Sequence, residues 1–151
     1  MPHTREDGSR RSLRSVGLAL GLLALFGCAR EPDAQVIEHH GRWESGYGAK
    51  FFNVVGRLKN TGAHPLAYVK LRIDAVDAAG KVVASTETYN ESAEILAVEL
   101  EGQPTDLATR LKTVKPLTAG SEERFRGSFL EEETPAFQEY RVTVIETPPV
   151  H

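Results

Sequence analysis

Apolar residues recurring at every second position constrain this chain more than any other feature. Phe52, Val54, Gly56 and Leu58 alternate with Asn53, Arg57 and Lys59, and Val69, Leu71, Ile73 and Ala75 alternate with Lys70, Arg72 and Asp74. The pattern returns in Phe125, Gly127 and Phe129, set against Arg124, Arg126 and Ser128, and again in Tyr140, Val142 and Val144. Successive strand side chains point to opposite faces, so a period of two marks strands with one buried and one wet face. Turn formers separate these runs: Asn60-Thr61-Gly62-Ala63-His64-Pro65, Asp77-Ala78-Ala79-Gly80, Ala119-Gly120-Ser121 and Thr134-Pro135. A further strand is expected over residues 81–88, after Gly80. Short alternating strands with frequent turns predict an all-β fold, an antiparallel β-sandwich. Long helical crossovers, which a parallel α/β sheet needs, are absent from the pattern.

Residues 89–114 fit two periods. Leu96, Val98 and Leu100 alternate as a strand would, while Ala93, Leu96, Ala97 and Leu100 also form a helical stripe. The strand up to Leu100 is the preferred expectation. A short helical turn is expected over residues 106–111, with Asp106 as its cap and Leu107 and Leu111 on one face.

The N-terminus carries a different signal. From residue 16 to residue 27 every side chain is apolar or Gly, preceded by Arg5, Arg10, Arg11 and Arg14. A basic segment followed by about a dozen apolar residues suits an export signal and is short of the ~20 residues that a spanning helix needs. Leu25-Phe26-Gly27-Cys28 resembles a lipobox, with Leu25 and the small Gly27 in place and Phe26 larger than usual. Cys28 is the chain's single cysteine, and its position predicts lipidation and an N-terminal membrane anchor. Multiple acyl chains would hold it stably at the bilayer. Ser9-Arg10-Arg11-Ser12-Leu13-Arg14 resembles a twin-arginine motif, and the same charges suit an ordinary signal, so both export routes stay open. Ala29 after the cysteine, where Asp would retain a lipoprotein at the inner membrane, makes the outer membrane the default, facing the periplasm or the surface.

The resulting division is a signal peptide over 1–27, a lipidated tether over 28–34, a sandwich over 35–147 and a tail over 148–151. With Cys28 lipidated no thiol is left for a disulfide, so a hydrophobic core must supply the stability, and 123 residues after Cys28 suffice for one. Residues 1–28 hold four of the 18 basic and two of the 21 acidic residues, which leaves −5 on the remainder. That excess disfavours nucleic acid as a partner.

The stretch Val54-Val55-Gly56-Arg57-Leu58-Lys59-Asn60-Thr61-Gly62, followed by Val69 to Ile73 and by Asp77 with Gly80-Lys81-Val82-Val83, resembles the FxLYD family of bacterial envelope domains. Asn60 matches the family's turn asparagine, and Leu117-Thr118-Ala119-Gly120-Ser121 leading to Phe125 matches its approach to the penultimate strand. Of the naming motif only Asp77 is retained, with Ile73 a conservative change and Ala75 and Val76 smaller than usual. The resemblance covers roughly residues 50–145 and implies a small immunoglobulin-like sandwich on a secreted protein or lipoprotein. It implies no shared enzyme activity. Residues 89–114 are longer than the family's usual connection.

Chemistry-bearing motifs are few. His39-His40 is the weak candidate for metal, but neighbours on a strand face opposite ways, so a solvated pair is the preferred expectation. Asp74, Asp77 and Gly80 lack the alternating oxygens of a calcium loop and suit a turn. Glu131-Glu132-Glu133 suits a solvated loop. No nucleophile elbow, phosphate loop or dinucleotide fingerprint occurs, so a non-enzyme is expected, with no cofactor beyond the covalent lipid on Cys28. Trp43 and Tyr47, around Glu44-Ser45-Gly46-Tyr47-Gly48, form a candidate binding loop, flexible and leading into a strand. The competing assignment, preferred for Trp43 and Phe52, places aromatic bulk over the core. The expected function is a lipid-anchored interaction or scaffolding module whose partner is another envelope protein. The alternative is a carrier of a small ligand or metal.

Overall fold

The computed structural model describes residues 31–104 and 106–150; the stretch expected to be an export signal and Cys28, the expected lipidation site, lie outside them. Two antiparallel three-stranded sheets face each other. Strands β1 (Ala34–Gly46) and β2 (Ala49–Asn60) form a hairpin, and β2 pairs on its other side with β5 (Glu122–Leu130). In the second sheet β3 (Lys70–Val76) lies between β4 (Val82–Tyr89) and β6 (Glu139–Glu146). The orders β1-β2-β5 and β4-β3-β6 are those of strands A-B-E and C′-C-F in an immunoglobulin-like sandwich. The all-β antiparallel expectation therefore holds.

The alternation sets which face is inside. Val54 and Leu58 of β2, Phe125 and Phe129 of β5, and Leu71, Ile73 and Ala75 of β3 form one buried cluster, joined by Val69, Leu66 and Leu117 from the connections. Two glycines make room for it. A Cβ on Gly56 would meet the Phe125 ring at 2.6 Å, and one on Gly127 would collide with the Ile73 side chain. The β4–β5 side is closed by Thr88, whose hydroxyl donates to the Arg126 carbonyl at 2.5 Å. On the opposite side His39 and Tyr140 meet, ring to ring at 5.3 Å and Nδ1 to Oη at 3.0 Å.

Three local structures differ from the sequence-based expectation. Residues Glu91–Glu99 form a helix, α1, where a strand up to Leu100 was expected. Its stripe (Ala93, Leu96 and Ala97) packs with Ala67, Tyr68 and Leu111 into a second cluster. The helix start is held by acidic side chains: Glu123 accepts from the Ser92 amide at 3.3 Å and hydroxyl at 3.0 Å. Glu94 accepts from the Tyr89 amide at 2.9 Å. Negative charge at this end also suits the helix dipole. Secondly, the segment around Trp43 and Tyr47 is no loop: β1 runs to Gly46, and only Tyr47 and Gly48 turn the chain. Thirdly, Ala34, expected to end a tether, is fully buried and starts β1, and the residues expected to form a tail dock, Ala67 donating to the Pro148 carbonyl at 2.8 Å and Val150 to that of Pro65 at 3.1 Å. The short helix α2 (Leu107–Leu111) is capped by Asp106, as the sequence predicts.

Candidate binding surfaces

The end of the β1–β2 hairpin gathers the aromatic residues. Phe52 points inward, where it meets Phe137 at 5.0 Å and Tyr140 at 5.5 Å between ring centroids. Trp43 lies over this cluster, 5.3 Å from Phe52 and 5.9 Å from Phe137, with the Lys50 ammonium 4.9 Å from its ring. It covers the core edge and remains 43% exposed. Tyr47 touches none of them and is fully exposed at the tip. Its φ is +53° and that of Gly48 is +78°, so both turn residues are left-handed, as a two-residue type I′ hairpin requires. Asn or Gly is favoured at the first position of such a turn, and a bulky residue there is strained.

A second surface lies on the outer face of the β1-β2-β5 sheet. There α1 overhangs the strands and leaves an open groove of 940 Å³. Ile95 and Val98 form its helical flank, about 60% exposed each, and Val55, Gly56 and Phe125 lie along its floor. Cations come from the strands. Arg57 stands directly opposite Arg124, with Arg126 two positions further along β5. Arg57 is engaged by Glu38 at 2.6 Å and Glu122 at 3.2 Å, and its guanidinium holds the Glu38 carboxyl below the usual range. Arg126 is 3.7 Å from Glu44, itself held low chiefly by the Asn53 amide. Arg124 has no ion pair among the described residues. Anions come from the helix, where Glu91 and Glu99 border the groove and form no side-chain ion pair among the described residues.

The histidines divide between faces. His39 turns toward Tyr140, and His40 lies in the wall of the groove. Asp77 accepts from the Ala79 and Lys81 amides, both at 2.9 Å, and Gly80 has φ +80°, which makes that segment a turn. Asp74 is bonded to Ser85 at 2.6 Å. Glu131–Glu133 is a single 3-10 turn with Glu131 paired to Lys50 at 2.6 Å. Among the described residues no group of three His, Cys, Asp or Glu is arranged to hold a metal ion, and no helix is long and apolar enough to cross a membrane. The groove escaped sequence reasoning because its walls come from β1, β2, β5 and α1. One available signal was the exposed Ile95–Val98 pair, three apart beside a buried stripe.

No family model matches the chain, and no curated protein or solved structure matches it either. The likeness to FxLYD domains thus stands on the strand and turn residues that carry it.

Proposed function

We propose that this chain is a lipid-anchored, non-catalytic interaction module of the bacterial cell envelope, an FxLYD-like sandwich that holds another envelope protein through the β1–β2 hairpin tip. The observation that carries this is Tyr47, an aromatic side chain fully exposed in a left-handed turn position. Such conformations cost of order 1–3 kcal/mol and concentrate where function needs them. Exposed Tyr and Trp are also the side chains that dominate protein interfaces. The layout suits an anchored module: β1 begins at Ala34, six residues after Cys28 in sequence, and its 13 residues extend the tip about 40 Å from that point.

The carrier alternative draws on the 940 Å³ groove. Its open side and its charges of both signs suit a macromolecule better than an enclosed small ligand. The test is native mass spectrometry of the full chain, extracted gently from its own membranes, beside a Tyr47→Asn variant. Wild type is expected at a lipidated mass with a stoichiometric envelope protein attached. The variant is expected to lose that protein while its domain becomes more stable by about 1 kcal/mol. A partner retained undiminished by Tyr47→Asn would remove the hairpin tip from the interface. A bound small molecule or metal in place of protein would favour the carrier, and an unlipidated mass would remove the anchor.

A further inference from the structure

We propose that the groove between α1 and the β1-β2-β5 sheet is a pairing surface for a second copy of this chain. The proposal names a further partner for the interaction module proposed above, at a different surface. The groove has a ridge and a floor. The ridge, α1, bears Glu91 and Glu99 together with Ile95 and Val98, and the floor bears Arg124 and Arg126 on β5 with Val55 beyond them on β2. The unengaged acids thus lie on the ridge and the bases on the floor beside it. A two-fold axis running between ridge and floor would seat the α1 ridge of each copy on the strand floor of the other. Ile95 and Val98 of both would then be covered, and Glu91 and Glu99 of one would face Arg124 and Arg126 of its partner. Two-fold interfaces must be self-complementary in this sense.

Three observations favour a copy over other occupants. Ile95 and Val98 are about 60% exposed on the helical flank of the groove, so an uncovered apolar ridge and a hollow occur together on one surface. Arg124 stands opposite Arg57, whose charge is met by Glu38 and Glu122 in the same chain, so Arg124, which has no ion pair among the described residues, is the guanidinium left for incoming carboxylates. The unengaged carboxylates of Glu91 and Glu99 supply them. An anionic amphiphile would satisfy the arginines and be repelled by the helix, and a cationic one the reverse.

The test is a charge exchange in the full, membrane-extracted chain, with dimer content read by native mass spectrometry over a dilution series. Glu99→Arg and Arg126→Glu are each expected to raise the dimer dissociation constant about tenfold, the loss expected for a close interfacial charge pair. The double variant, which restores opposite charges, is expected to recover dimer. Ile95→Asp is expected to give monomer with an unchanged melting temperature, since its side chain faces solvent in the single chain. A wild-type chain monomeric at every concentration would overturn the proposal. So would a dimer indifferent to both charge changes, or a groove filled by another molecule. Tyr47→Asn is expected to leave the dimer intact, so failure here and failure at the hairpin tip are separable.

Discussion

Asn60 closes the sandwich at the end of β2 with each of its polar groups used. Its amide nitrogen donates to the His64 and Leu117 carbonyls, both at 2.9 Å, and its oxygen accepts from the Gly62 amide at 2.9 Å. The side chain is fully buried, so water cannot replace these bonds. Asn60→Ala is expected to cost about 1–3 kcal/mol, since buried groups lose partners. Asn60→Asp, although nearly identical in shape, is expected to cost more. It keeps the acceptor for Gly62 and directs a carboxylate at two carbonyl oxygens in a site closed to water. Urea unfolding of the two variants checks the order, and an Asp variant as stable as the Ala variant would contradict this account. The same residue is the one that the sequence singles out as a turn asparagine. Its local bonds were legible there, and its bond across to Leu117 was not.

Among the elements, α1 depends most on distant residues. Glu123 on β5 accepts from Ser92 in the first turn and, at 2.7 Å, from the amide of Asn90, which in turn accepts from the Val69 amide at 2.7 Å. Glu123→Gln would exchange charge-assisted acceptors for an amide that accepts through one atom only. It is expected to cost about 1 kcal/mol and to speed hydrogen exchange in α1, with β1–β2 amides unchanged. Equal acceleration in both would mean that Glu123 supports the whole sandwich rather than the helix. This dependence also explains what sequence reasoning achieved and missed. Strands β2, β3, β5 and β6 were legible because each buries one face, which writes a period of two into the residues. Helix α1 was misread because Leu96, Val98 and Leu100 satisfy that period by coincidence, while the acid that starts the helix is 31 residues from Ser92. At the hairpin, Trp43 and Tyr47 were picked out as a pair, but whether the pair sat on a loop or a strand turned on Tyr47 taking a backbone conformation that its residue type disfavours.

At the scale of the whole molecule, the main core between the sheets is joined by a second cluster beneath the helices, and Tyr68 links the two regions. It is buried with Ala93 and Leu111, contacts the Tyr89 ring at 5.7 Å, and donates to Glu146 of β6 at 2.9 Å. Burial, helped by that carboxylate, pushes its phenol up to about 12 from an ordinary 10.0. The unfolded chain therefore loses this proton first as pH rises. Stability from Tyr68 is fully present below pH 10 and falls as pH climbs toward 12. Tyr89 is shifted in the same direction by burial, and Lys70 is raised by its bond to Glu87, so both add to the alkaline loss. The Lys70 contribution follows because a cation stabilised in the folded state helps only while it stays protonated. Tyr68→Phe keeps the ring packing and removes the titrating group. It is expected to be somewhat less stable at pH 7, through loss of the Glu146 bond, yet to show a flatter decline between pH 10 and 12. The decline should not vanish, because Tyr89 and Lys70 remain. Urea midpoints measured across that range decide the matter: a Phe variant with the wild-type slope would place the alkaline sensitivity in Tyr89 and Lys70 alone, and would mean that the Tyr68 phenol titrates freely in the folded chain.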